Sequence, residues 1–196
     1  SYKISSQFQN YKVEKIASGA SKKLFFRLFN ESHSVICMDF KDEKKEYANY
    51  IKVHSYLSKF NISIPSIYEQ NDHYKILILE DFGSLRFDKI ISDYKLKDLL
   101  TPAVETLIVL KNEINFNTYF DLDIYGFDKF KTEISEFLNY YYPYVHRKKI
   151  SQNLKNEFYE CWKDSYDSIN FDFSNFVHKD FNLNNLLYLP LRKDHL

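Results

Sequence analysis

Glycine and proline are nearly absent, at 3 and 4 of 196 residues, and that scarcity excludes collagen-like repeats, proline-rich linkers and loosely structured low-complexity tracts. Cysteine is scarcer still, with two residues, Cys37 and Cys161, set in expected strand and helix segments and not at short spacing. A disulfide framework is therefore excluded in favour of buried free thiols. Net charge is missing as well: 27 basic residues balance 27 acidic ones. Without a broad positive field, neither nucleic acid nor an anionic membrane surface is an expected partner, and any phosphate site must be local. No apolar run approaches the ~18 residues of a membrane span, and residues 1–10 lack a basic-then-apolar leader pattern, so a soluble, cytoplasmic protein is expected. What the chain does have is aromatic surface to bury, with 17 Tyr and 18 Phe.

Periodicity divides the chain. Residues 13–17, 24–29 and 34–40 are rich in Phe, Leu, Ile and Val and broken by polar turns, with Asn30-Glu31-Ser32 as a hairpin connection. Tyr47, Tyr50, Ile51, Tyr56, Leu57 and Phe60 follow helical spacing within 43–60, and Pro65 forbids continuation. Ile67 opens another strand, and residues 74–79 form a largely apolar one. After Gly83 the period lengthens. Leu96, Leu99, Leu100, Val104, Leu107 and Leu110 trace a helix through Pro102, Phe127 to Tyr141 trace a second that should end by Pro143, and Leu154 to Tyr166 trace a third. Residues 173–177 and 186–189 return to strand composition. The expected fold class is α+β with two lobes: an antiparallel-sheet lobe with one helix at 1–80, a hinge at 81–85, and a mainly helical lobe at 86–196.

The sharpest local signal is His178-Lys179-Asp180-Phe181-Asn182-Leu183-Asn184-Asn185-Leu186-Leu187, in which His-x-Asp is followed five residues after the Asp by Asn. Phosphoryl transfer asks little covalent chemistry of a protein. It requires a carboxylate to orient and deprotonate the attacking hydroxyl, and oxygen ligands for the magnesium on the ATP phosphates. Asp180 suits the first task and Asn185 the second, with His178 supporting the loop from behind by hydrogen bonds. The alternative is a polar surface loop whose Asp and Asn side chains cap turns.

These residues resemble the catalytic loop of the aminoglycoside phosphotransferase and choline kinase superfamily, whose fold is similar to that of protein kinases. Residues 76–83, Ile-Leu-Ile-Leu-Glu-Asp-Phe-Gly, look like that family's hinge, which implies backbone contacts from Glu80, Asp81 and Phe82 to adenine. By itself the segment is a strand and a turn. Gly19, Ala20 and Ser21 occupy the place of the phosphate-covering loop, where an ordinary hairpin is the alternative. Within the superfamily, the small-residue loop, Phe-Phe-Arg-Leu and the Met38-Asp39 strand end are most similar to the 1-kinases of N-acetylmuramate and N-acetylglucosamine. The resemblance runs from residue 13 to 189 and implies ATP and Mg2+ as cofactors and a sugar or amino sugar hydroxyl as acceptor; choline-type and antibiotic acceptors are alternatives. Neither the acceptor nor the oligomeric state is legible in the sequence.

Two departures from the family stand out. A phosphate-holding lysine belongs on the third strand, but Ile36, Cys37, Met38 and Asp39 stand there, and Glu46 on the next helix is then an ordinary solvated residue. A second metal-binding Asp belongs beyond Leu196, which implies a catalytic lobe cut short, weak nucleotide binding and poor catalysis by these residues alone. Asn182, two positions after Asp180, argues against a protein kinase, which carries lysine there. A non-catalytic kinase-like scaffold is the remaining rival. His33, His54, His73 and His146 have no zinc-ligand spacing, Arg147-Lys148-Lys149 is expected to be a solvated turn, and Tyr140-Tyr141-Tyr142 is expected to pack in a core rather than line a sugar pocket.

Overall fold

A computed structural model describes residues 6–16, 22–113, 124–171, 175–190 and 192. Its contacts group the chain into two compact units, Ser1–Glu113 with His178–Leu196, and Ile114–Val177. These are cut at different places from the lobes expected above, because the chain after residue 178 returns to the first unit. The expected loop residues Gly19, Ala20 and Ser21 lie outside the described residues.

The first unit is built on a five-stranded antiparallel sheet of β1 (Lys12–Ile16), β2 (Leu24–Phe29), β3 (Ser34–Asp39), β4 (Ile67–Asn71) and β5 (Ile76–Glu80), in the order β1-β2-β3-β5-β4. Side-chain alternation splits it into two faces. Leu28, Val35, Cys37, Ile76 and Ile78 bury one face beneath Phe8, which lies in the short turn Ser6–Phe8. Met38, Leu77 and Leu79, with Phe25 and Ile36 beside them, bury the other against Tyr47, Tyr50 and Ile51 of helix α1 (Lys44–Leu57). The β2–β3 connection is the hairpin expected: Asn30 Oδ1 accepts from the Ser32 and His33 N–H groups at 3.0 and 2.8 Å. Near β5 the strand begins two residues later than expected, since Lys75 turns with φ 56° before Ile76 pairs with Asp39.

Past β5, the chain forms α2 (Phe87–Ile90) and α3 (Leu96–Glu113), which bury Phe87, Ile90, Leu99 and Ala103 against Leu85, Phe181, Leu183, Leu186 and Tyr188. Pro102 lies inside α3. Segment 186–189 was expected to form a strand and is reduced to a single bridge between Leu187 and Arg86. Of the expected strand at 173–177, residues 173 and 174 lie outside the described residues, and Asn175 to Val177 carry no regular secondary structure.

In the second unit, which also holds α5 (Tyr142–His146), α4 (Phe127–Glu136) and α6 (Gln152–Asp167) are joined by aromatic packing: Phe130 meets Trp162 at 5.4 Å and Phe127 meets Tyr166 at 5.3 Å, and Phe137, just past α4, stacks on Phe158 at 5.7 Å. Ser151 caps α6 by accepting the Leu154 N–H. Pro143 does not end the helical path. A π-type turn at Phe137–Tyr141 widens the coil ahead of it and Pro143 falls in the first turn of α5, and the path ends at Arg147 in the left-handed conformation with φ 52°. Tyr140 and Tyr141, expected in the core, are 72% and 59% exposed, because Leu138 takes the inward position of that turn. Cys161 is likewise exposed on α6, whereas Cys37 is buried as expected. Among the described residues no helix is long and apolar enough to cross a membrane.

Candidate functional site

The loop at 180–185 closes on the carboxylate of Asp180. Lys179 adopts φ 69°, a left-handed conformation that a residue with a Cβ enters at a cost and that turns the chain immediately before Asp180. Two asparagines then fold back. Asn182 Nδ2 donates to Asp180 Oδ1 at 2.5 Å, and Asn185 Nδ2 donates to Asp180 Oδ2 at 2.7 Å and to the Asp180 carbonyl at 2.9 Å. Each carboxylate oxygen therefore holds one amide. Asn182 Oδ1 accepts the Asn184 N–H at 2.9 Å, so that side chain is consumed within the loop. Asn185 differs, because Asp180 takes its amide hydrogens while its Oδ1 has no partner among the described residues.

Phe181 and Leu183 of this loop pack into the cluster around Phe87 and Leu99, which anchors the turn from beneath and leaves its polar side chains outward. The loop's exit is stitched to the chain that follows the 81–85 linker: Phe87 N donates to Leu186 O at 3.0 Å, Tyr188 N to Leu85 O at 2.8 Å, and Asp88 N to Leu183 O at 3.2 Å. His178 makes no hydrogen bond among the described residues, against the backing role expected of it. Its ring instead packs edge-on to Phe181, with centroids 5.5 Å apart. That crowding by protein lowers its pKa, opposed by the Asp180 charge, although much of the residue remains at the surface. That crowding favours the neutral form of the ring.

The linker is held by ion pairs that sequence reading missed. Asp81, whose side chain is 3% exposed, receives Arg27 Nε at 2.6 Å and Nη2 at 3.1 Å, while Arg27 Nη2 also donates to the Gly83 carbonyl at 2.9 Å. Burial alone raises the Asp81 pKa, but hydrogen bonds from Arg27, the Gly83 N–H and Ser34, with the Arg27 charge, outweigh it and hold the carboxyl below its usual range. Gly83 turns the chain at φ 84°, a conformation glycine adopts without strain. Glu80 is bound by Arg192, and the Arg192 guanidinium lies 4.6 Å from the Phe82 ring centroid. Burial raises the Glu80 pKa, and hydrogen bonds from Arg192 and Ser66 reverse that to a net lowering. The side chains of Glu80 and Asp81 are thus structural. Among the described residues the Phe82 N–H and C=O have no hydrogen-bond partner.

Asn185 Oδ1 is an oxygen donor of the kind a hard cation such as Mg2+ takes, while both oxygens of the Asp180 carboxylate already accept an amide. Among the described residues no cluster of three or more His, Cys, Asp or Glu side chains forms a metal site complete in itself. Two of the other histidines have polar partners of their own: His33 Nδ1 meets the Tyr11 hydroxyl at 3.0 Å and His54 Nε2 lies 2.8 Å from the Pro65 carbonyl. Arg147 to Lys149 are exposed, as a solvated turn requires. No protein-family model matches the chain, and no curated protein matches it either.

Proposed function

We propose that this protein is an ATP-dependent small-molecule kinase with a protein-kinase-like fold, transferring phosphate to a hydroxyl of a sugar or amino sugar in the cytoplasm. One observation carries the reading: the side chains of Asp180 and Asn185, five residues apart, meet at 2.7 Å in an outward-facing turn whose base is fastened to the linker's continuation. In this reading Asp180 is the base that accepts the acceptor's hydroxyl proton. Its two amide partners hold the carboxylate in one orientation, which fixes the direction of attack. Asn185, with both donors turned toward Asp180, directs Oδ1 outward as a ligand for Mg2+. The metal, when bound with nucleotide, supplies positive charge to the transferring phosphate. The unpartnered N–H and C=O of Phe82 offer the donor and acceptor that an adenine edge needs, and the Arg27–Asp81 pair holds that backbone in place.

A second reading, a kinase-like protein that binds nucleotide or a partner without catalysis, is favoured by one feature. On β3 the positions facing α1 are Ile36 and Met38, neither of which can hold phosphate. The deciding experiment measures Mg2+-dependent phosphate transfer from ATP to a panel of amino sugars, sugars, choline and aminoglycosides by the full-length protein. Turnover should fall about a hundredfold or more in Asp180→Ala with the melting temperature retained. Absence of nucleotide binding by the wild-type protein would end the proposal, and equal turnover by Asp180→Ala would remove the base assignment.

A further inference from the structure

Helix α3 buries one side and leaves a second apolar row open. Leu99, Ala103 and Leu110 are buried, the first two in the cluster around Phe87. Along another side of the same helix, Leu96 is 53% exposed, Leu100 36%, Val104 53% and Ile108 50%. Residues four apart lie one above the other on a helix, so these four form a continuous ridge. Single exposed apolar side chains are ordinary on a protein surface, whereas an unbroken row over more than three turns marks a face that pairs with something.

The charges beside the ridge say what that something is. Lys97, Thr101 and Glu105 make the adjacent row, and with Leu96, Leu100 and Val104 they line an open groove of about 470 Å³. Neither Lys97 nor Glu105 has an ion-pair partner among the described residues. Eight residues apart, they stand ~12 Å from one another along the axis, too far to meet within one helix. They are opposite in sign and equally far from Thr101. Turning the helix end over end about an axis at Thr101 therefore brings each of them to the place of the other. A surface whose charges exchange sign under a two-fold rotation is complementary to itself. A membrane surface is the poorer occupant, because it calls for a cationic flank and here one Lys is balanced by one Glu.

We propose that this face of α3 is a homodimer interface, in which the helix packs antiparallel against α3 of a second copy. Leu100 and Val104 meet the same residues of the second copy across the two-fold axis, and each Lys97 pairs with the second copy's Glu105. The surface lies apart from the 180–185 loop, so the inference goes beyond the kinase reading and does not rest on it.

One helix pair is at the small end of protein interfaces, so dimerisation is expected at about 10 to 100 µM and is measured by sedimentation equilibrium of the full-length protein across that range. Leu100→Glu sets a charge against the apolar ridge and should weaken the dimer about a hundredfold. If that variant melts early, Val104→Gln, at the more exposed position, carries the same comparison. Lys97→Glu and Glu105→Lys should each weaken self-association about tenfold, because every dimer then holds two like-charged pairs. Mixing the two variants should restore dimers of one copy of each, and the variant carrying both substitutions should dimerise as the wild type does. That rescue is the signature of a two-fold pairing of Lys97 with Glu105. A wild-type protein that stays monomeric overturns the proposal, and an early-melting Leu100→Glu would then show that the chain itself covers the ridge. A dimer unchanged by both Leu100→Glu and Val104→Gln, or a mixture that associates no better than either charge variant alone, overturns it as well.

Discussion

Arg27 and Asp81, 54 residues apart, grip one another through two hydrogen bonds at 2.6 and 3.1 Å, so the linker after β5 is fastened to the middle of β2. Removing either partner strands the other's charge against the protein. Arg27→Ala and Asp81→Ala should each cost about 2 to 3 kcal/mol, the lower edge for buried pairs because Arg27 keeps a quarter of its side chain in water. The double variant should cost less than the sum, and urea denaturation of the full cycle measures that coupling. Strict additivity would show that the pair is only a surface contact.

Acid should unfasten the same linker. Asp81 and Glu80 both have folded pKa values depressed below their unfolded ones, so their stabilisation is complete above the unfolded carboxylate range, about 4, and is lost as pH falls toward the folded values. Urea midpoints at pH 5, 4 and 3 should fall for the wild-type protein. Asp81→Asn should begin lower and show a shallower decline; an identical slope would mean that Asp81 does not contribute to the acid transition.

Thiol chemistry should distinguish the two cysteines. Burial, with the nearby Asp39 charge, pushes the Cys37 thiol up to about 11, while Cys161 lies exposed on α6. A native-state alkylation time course should modify Cys161 quickly and Cys37 only after denaturant is added, as read by peptide mass. Rapid labelling of Cys37 in the folded protein would contradict the packing of the β3 face.

Within the 180–185 loop, Asn182→Ala removes the amide from Asp180 Oδ1 and the acceptor from the Asn184 N–H. Because the loop's polar side is exposed, stability should change by no more than about 1 kcal/mol. Phosphate transfer, if the proposed chemistry holds, should drop about tenfold with the effect on kcat rather than on KM, since the variant loosens the orientation of the base and not nucleotide binding.

The elements were legible because they follow local rules. Apolar runs at 24–29 and 34–39, with both strand faces buried, and helical spacing at 44–57 and 152–167 are set by which sides of a strand or helix must leave water. The Asp180–Asn185 meeting was legible too, since five residues are enough for one turn to bring both side chains together. Pro143 misled because proline forbids continuation only of a regular coil, and the preceding wide turn is not regular. His178 misled because its neighbour Phe181 offered an aromatic edge where a hydrogen bond was expected.

Periodicity and turn chemistry in the sequence alone thus determined the α+β composition, the places of the five sheet strands and the loop that carries Asp180. Tertiary structure alone decided which charges meet: Arg27 with Asp81, Arg192 with Glu80 across 112 residues, and Lys23 with Glu46. Burial of a strand face selects for apolar residues at a fixed spacing and so leaves a pattern in the chain. An ion pair between distant segments needs only that two side chains of opposite sign arrive at one place, and no local pattern records that arrival.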